Sequence, residues 1–270
     1  MQIQAAGLSD RGTVRPANED HYCIGPFVEQ DVYTSLDLDT TSSSFQQYGL
    51  LAAVADGMGG YAGGALASRV ALETLSASFY GEQRLGCTIE EFTGCLERCL
   101  AQTQQVLAHV LQQSPEFTQA GTTLAGVAMM PPDTLIVFHA GDSRVLRAAA
   151  GYVRPLTVDH TLFGEDLAAG RVTEDDVRDA PELSQLTRAL GAVGDTRVAM
   201  TTEYSWTAGI SLLLGTDGWH SVARGIDRQK IQEITRREDT LEVQLRTLLR
   251  EAVSTDGRDN ATLVIVKVRG

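Results

Sequence analysis

Leu51-Ala52-Ala53-Val54-Ala55 runs straight into Asp56-Gly57, and the same construction recurs along the chain. Ile136-Val137-Phe138-His139-Ala140-Gly141 runs into Asp142, Leu212-Leu213-Leu214-Gly215-Thr216 runs into Asp217-Gly218, and Asp259-Asn260 opens an apolar run over 261–268. Short apolar runs bounded by Gly or Asp read as strands. Asp-Gly at a strand end is ordinary turn chemistry, and for any one site that is the better reading. Four such ends are harder to dismiss. If they converge, four carboxylates within a few ångströms repel one another, and such a cluster persists when divalent cations neutralise it. A donor set of oxygen alone, without clustered Cys or His, favours Mg²⁺ or Mn²⁺ over zinc.

Working outward, further strand patterns lie at 48–55, 122–130, 134–139, 198–206, 210–214 and 261–268, with a hairpin over 144–156 around Gly151 and a tight turn at Pro131-Pro132-Asp133. Apolar residues at 3–4 spacing predict helices over 65–79 and 89–111, and over 227–253 as two helices broken near Asp239. Residues 37–47, with five Ser/Thr in a row, read as a surface loop between two strands. The polar, acidic stretch 163–180 reads as an exposed excursion, with a capping pattern at 173–176. Strands joined directly to strands, with helices in separate blocks, give an α+β fold. No Pro/Gly-rich linker divides the chain, so one domain over 1–270 is expected.

The 270 residues carry 22 Lys+Arg and 35 Asp+Glu, a formal net charge of −13. That balance argues against sequence-independent nucleic-acid binding and against an anionic membrane as partner. No apolar run approaches the ~18 residues of a membrane span. The first eleven residues do not read as a secretory signal, which makes the cytoplasm the expected location. Four cysteines are too few for a disulfide framework. Cys95 and Cys99, four apart, share a helix face, where a core pair is a better reading than a metal pair.

Near the N-terminus, Arg15 precedes Glu19-Asp20 by four and five residues. A guanidinium beside a cation–carboxylate cluster is suited to gripping a phosphate, and the combination points to phosphoryl chemistry.

These blocks together resemble the metal-dependent, type 2C Ser/Thr protein phosphatases in their bacterial form. The blocks, in the family's order, are Ser9-Asp10-x-Gly12-x-Val14-Arg15-x-x-Asn18-Glu19-Asp20, Val54-Ala55-Asp56-Gly57-Met58-Gly59-Gly60, Gly121-Thr122-Thr123, Ala140-Gly141-Asp142-Ser143-Arg144, Thr157-Val158-Asp159-His160-Thr161, Arg188-Ala189-Leu190-Gly191, Leu214-Gly215-Thr216-Asp217-Gly218 and Asp259-Asn260-Ala261-Thr262. The resemblance implies a four-layer α-β-β-α sandwich, two mainly antiparallel sheets flanked by helices. It implies Asp56 bridging two Mn²⁺ or Mg²⁺ ions, with Asp217 and Asp259 at the first, the Gly57 carbonyl and Glu19 at the second, and Asp142 with Asp217 at a weaker third. Asp20 would orient water, Arg15 would bind substrate phosphate, and a variable flap would span about 160–182. The implied activity is hydrolysis of phosphoserine and phosphothreonine in proteins by a metal-bridging hydroxide, reversing a Ser/Thr kinase, in a monomer. Met58 stands where eukaryotic relatives carry a histidine proposed as general acid, which leaves the leaving-group proton source open. His160 reads as structural more than catalytic.

Two rivals stand beside this reading. Gly57-Met58-Gly59-Gly60-Tyr61-Ala62 fits a dinucleotide-binding turn, but Asp56 would repel the pyrophosphate. The same fold could serve as a non-enzymatic sensor, against which every expected site residue is present.

Overall fold

Buried strands in this protein are apolar on both faces because both faces are covered. The computed structural model describes residues 1–59, 62–113, 115–173, 185–191, 195–204, 206–220 and 227–270. In chain order the elements are β1 (Gln2–Asp10), β2 (His21–Ile24), β3 (Phe27–Glu29), β4 (Thr34–Asp39), α1 (Ser43–Tyr48), β5 (Leu50–Ala55), β6 (Gly57–Met58), α2 (Ala62–Tyr80) and α3 (Ile89–Gln112). After a 3-10 turn (Pro115–Phe117) come β7 (Gly121–Thr122), β8 (Leu124–Met130), β9 (Thr134–Ala140), β10 (Arg144–Ala149), β11 (Tyr152–Pro155) and α4 (Leu162–Ala168). The chain closes with β12 (Ala199–Tyr204), β13 (Ser211–Gly215), α5 (Asp217–His220), α6 (Arg228–Arg236), α7 (Leu241–Thr255) and β14 (Ala261–Arg269).

One six-stranded sheet runs β11-β10-β13-β14-β1-β4 and the other β12-β9-β8-β5-β2-β3. Every pairing is antiparallel. The period-2 alternation of a strand divides its residues between two cores. Leu50, Ala52 and Val54 of β5 meet Leu212, Leu214, Val264 and Val266 between the sheets. Leu51, Ala53 and Ala55 face α2 and α3 on the other side. Leu213, Leu263 and Ile265 likewise turn outward, beneath α6 and α7. This is the expected α-β-β-α sandwich. Antiparallel strands usually show water one polar face; here a second helical layer removes it, and the runs read as continuously apolar.

The helices carry their own start signals. Thr88 caps α3 in a reciprocal box: its hydroxyl accepts from Glu91 N–H (3.2 Å) and Glu91 Oε2 accepts from Thr88 N–H (2.8 Å). Thr240 caps α7, which produces the expected break between the last two helices.

Several expectations need correction. Residues 37–47 are not a loop between strands: β4 continues to Asp39, and Ser42 caps α1, whose Phe45 is buried. Tyr48 accordingly ends a helix rather than opening a strand. The excursion at 163–180 begins anchored, because Phe163 at the start of α4 is 3% exposed. Residues 174–180 of that stretch, and most of the 173–176 capping pattern, lie outside the described residues. β1 lies in the interior of its sheet, between β14 and β4, a strand absent from the sequence patterns despite its alternation of Gln2, Ile3, Gln4 and Ala5. Cys95 and Cys99 are both buried on α3, as expected of a core pair. No helix among the described residues is long and apolar enough to cross a membrane.

Candidate active site

Strand ends place the acidic residues. Asp56 follows β5 and is clasped by the junction of β7 and β8: its N–H donates to Thr123 Oγ1 (3.0 Å), and its carbonyl accepts from Thr123 N–H and the Thr122 hydroxyl, both at 2.9 Å. Asp142 follows β9, and the adjacent Ser143 hydroxyl bonds Thr123 Oγ1 (2.6 Å), so the Asp56 and Asp142 turns share one threonine. Asp217 opens the single-turn helix α5 after β13. Asp259 precedes β14. Gly57 is a close approach: a Cβ there would lie 2.2 Å from the Gly64 carbonyl oxygen of α2 and 2.6 Å from that of Glu19. Only glycine lets α2 close onto this corner.

The N-terminal loop is held by Asn260. Its side-chain amide donates to the carbonyls of Arg11 (2.9 Å) and Ala17 (3.0 Å), and its oxygen accepts from Glu19 N–H (2.8 Å). One side chain thereby brings both Arg15 and Glu19 to the carboxylates. Ser68 of α2 fixes Glu19 further, its hydroxyl donating to the Glu19 carbonyl (2.5 Å) while contacting His21 Nδ1 (2.9 Å).

The electrostatics follow from this convergence. Burial, then the charges of Asp20, Asp217, Asp142 and Asp259, push the Asp56 carboxyl well above its usual range. Burial and Asp217 do the same to Asp142, and burial and Asp259 raise Asp217, whose carboxyl also hydrogen-bonds that of Asp56. Glu19 is raised by burial against an opposing pull from Arg15. Asp20 is fully buried, and burial pushes it up to about 7 although Oδ2 accepts from the hydroxyls of Thr262 (2.7 Å) and Thr216 (2.8 Å). The structure thus draws Glu19, Asp20, Asp56, Asp142, Asp217 and Asp259 into one electrostatic neighbourhood.

Arg15 reaches the same neighbourhood, paired with one of its carboxylates. Its guanidinium lies 2.6 Å from Asp259 Oδ2, with half of the side chain exposed. Among the described residues, no three His, Cys, Asp or Glu side chains close around a single point. The fit to cations rests on the atoms left over. Glu19 Oε1, Asp20 Oδ1 and Asp217 Oδ1 are buried without a hydrogen-bond partner. Buried, unpartnered carboxylate oxygens are costly, and hard, oxygen-seeking divalent ions are their natural complement.

His160 is a joint rather than a reacting group. Its N–H donates to the Gly141 carbonyl (2.9 Å), its Nδ1 accepts from Gly141 N–H (3.3 Å), and its carbonyl accepts from Thr187 N–H (2.8 Å). Its ring stacks on His139 with centroids 4.3 Å apart. Burial, with His139 and Arg188 nearby, lowers it to about 4, so the ring is neutral at pH 7. Arg144 makes a two-pronged pair with Asp159 (2.7 and 2.5 Å) and reaches the His220 carbonyl (3.4 Å), tying the Asp142 turn to α5.

The sequence patterns assign no role to the supporting residues Thr123, Thr216, Thr262, Asn260 and Arg144, although each lies within three residues of a strand-end aspartate or, for Thr123, in the quoted Gly-Thr-Thr block. That adjacency was the available signal.

The sequence matches the family model for protein phosphatase 2C over residues 35–256. It is 28% identical over 265 residues to the serine/threonine phosphatase stp of Listeria innocua, covering 98% of this chain and 96% of that protein. Among solved structures it resembles the Mycobacterium tuberculosis serine/threonine phosphatase PstP/Ppp, with a TM-score of 0.79 and 25% identity over 100% of both chains. It also resembles the catalytic domain of PstP in complex with two manganese ions, with a TM-score of 0.75 and 24% identity over 100% of both chains. The chain belongs to the protein phosphatase 2C family, hydrolases that remove phosphate from proteins.

Proposed function

We propose that residues 1–270 form one catalytic domain that hydrolyses phosphoserine and phosphothreonine in proteins, with two Mn²⁺ or Mg²⁺ ions and a third, weaker one. Its substrates are then phosphoproteins of a Ser/Thr kinase, met by a cytoplasmic monomer without nucleic acid or membrane as partner. The observation that carries this reading is the set of buried carboxylates with unpartnered oxygens beside a half-exposed arginine.

Asp56, Asp217 and Asp259 would hold the first ion, Asp56, Glu19 and the Gly57 carbonyl the second, and Asp142 with Asp217 the third. When bound, such ions supply a hydroxide nucleophile at neutral pH and offset the charge of the phosphoryl group. Arg15 pairs with Asp259 until substrate arrives; its exposed guanidinium then turns to two phosphate oxygens, a bidentate grip that fixes the group for in-line attack. Asp20, with Oδ2 occupied by two threonine hydroxyls, presents Oδ1 alone to accept a proton from an attacking water. Met58 is a thioether and donates no proton to the leaving alkoxide.

Turnover of para-nitrophenyl phosphate and of a phosphothreonine peptide, with and without Mn²⁺, tests the reading. Cation-dependent hydrolysis by the wild type, lost in Asp56→Ala and Asp217→Ala, is the expected result. Absence of cation-dependent turnover, or variants that match the wild type, overturns it.

A further inference from the structure

The helical layer outside β5, β8 and β9 contains a reactive-group cluster that phosphate hydrolysis does not use. Arg84 follows α2 and is 5% exposed. Its Nε donates to Cys95 Sγ (3.4 Å), its two terminal nitrogens donate to the carbonyls of Tyr48 (3.3 Å) and Phe79, and its plane lies 4.0 Å over the Phe79 ring. The guanidinium thus sets a buried positive charge directly on the Cys95 sulfur, the kind of setting in which a cysteine is reactive. Cys95 Sγ in turn donates to Glu82 Oε2 (3.4 Å), a carboxylate positioned to take its proton. The thiol of Cys99, one turn on, is held up at about 11, chiefly by burial and then by Cys95 beside it, so it stays protonated.

Solvent reaches Glu82 on the same side. A groove of about 610 Å³ between α2 and α3 is lined by Gly81, Glu82, Gln102 and Val106 among others, so the carboxylate that receives the Cys95 proton also forms the groove wall. Cys95 itself is 5% exposed, which admits a small neutral reagent and excludes a bulky one.

We propose that Cys95 is a peroxide-reactive thiol, activated by Arg84 and Glu82, on the helical face of this phosphatase. Glu82 Oε2 accepts the thiol proton. The thiolate sulfur attacks one oxygen of a hydroperoxide; the S–O bond forms as the O–O bond breaks. Sulfur is oxidised by two electrons and the peroxide reduced, and with hydrogen peroxide the departing hydroxide recovers the proton from Glu82 and leaves as water. The product stops at the sulfenic acid. Residues four apart on a helix have Cβ atoms about 5–6 Å apart, whereas a disulfide needs about 3.5–4.5 Å, so Cys99 cannot close a bridge without unwinding α3.

The test is a time course of the folded protein in Mg²⁺ buffer with hydrogen peroxide, each aliquot quenched with catalase and unfolded in guanidinium with a dione reagent that traps sulfenic acid, and each cysteine peptide read by mass. Cys23, fully buried with its thiol pushed up to about 12, is the internal control. Cys95 is expected to be trapped roughly tenfold or more faster than Cys23, as an activated thiol against an inert one. The surface change Glu82→Gln, and Arg84→Met if it folds by circular dichroism, should each slow Cys95 several-fold. Equal rates at Cys95 and Cys23, a Cys95 rate unmoved by Glu82→Gln, or a Cys95–Cys99 disulfide as first product overturns the proposal. Phosphate hydrolysis enters none of these readouts, so the inference fails or stands independently of the catalytic reading.

Discussion

Asp20→Asn should make the cation-free protein more stable, although it removes a buried hydrogen-bonded residue. The Asp20 carboxyl is fully buried and pushed up to about 7, chiefly by burial, against about 3.9 in an unfolded chain. The folded state therefore holds a proton that the unfolded state releases between about pH 4 and 7, and stability falls with rising pH by up to about 1.4 kcal/mol per unit in that window. Above it, ionised Asp20 costs at most about 4 kcal/mol. Asparagine is neutral at every pH and keeps an oxygen for the hydroxyls of Thr216 and Thr262. In EDTA at pH 8 the variant should melt up to about 8 °C higher, at about 2 °C per kcal/mol for a chain of this size. At pH 4 the difference should shrink below about 1 kcal/mol, because the carboxyl is then neutral in the folded state and about half protonated in the unfolded one. Saturating Mg²⁺ should raise the wild type more than the variant, because bound cations relieve the same charge. Differential scanning calorimetry at the two pH values is the assay. A variant no more stable than wild type at pH 8 in EDTA, or a gain of equal size at pH 4, refutes the reasoning.

Other outcomes follow from single contacts. Arg15→Ala should lower kcat/KM toward para-nitrophenyl phosphate roughly 10- to 100-fold, the worth of a charge-assisted hydrogen bond of about 1.5–3 kcal/mol, with Arg15→Lys in between. Arg144→Ala strips Asp159 of its two-pronged partner and frees the His220 carbonyl; it should cost about 2 kcal/mol in urea unfolding and weaken binding at the Asp142 corner, read by calorimetric Mn²⁺ titration. Thr88→Ala removes the α3 capping box and should cost about 1 kcal/mol, measured by thermal melting, with Thr88→Ser close to wild type.

How far the sequence speaks depends on how local the cause is. Strands covered on both faces, such as Leu50–Ala55 and Ser211–Gly215, announce themselves as apolar runs, and the aspartates at their ends are legible for the same reason. Capping threonines fix helix starts within a turn. β1 is harder to see because its sheet-facing residues are small; Gly7 leaves room for the Tyr22 ring, whose Cε2 would lie 2.4 Å from a Cβ there. The supports of the site are harder still. Thr216 and Thr262 reach Asp20 across 196 and 242 residues of chain, and no local pattern encodes a meeting that only the paired sheets create. Nor does spacing show that Arg15 lies on Asp259; that contact needs the Asn260 anchor.

The strand order has a consequence for how the protein is born. β14, the last element, lies between β13 and β1, pairing with the first strand along nine consecutive positions from Gln2–Arg269 to Asp10–Ala261. Until residues 261–269 leave the ribosome, nothing joins β1, with its neighbour β4, to β13, with its neighbour β10, and the loop holding Arg15 and Glu19 lacks Asn260. A nascent chain can finish the helix-backed sheet around β5 early, but its other half waits for the final strand. Synthesis itself thus sets an order: a chain interrupted before residue 259 carries most of the acidic residues but lacks Asp259, Asn260 and the strand that seats β1 beside β13.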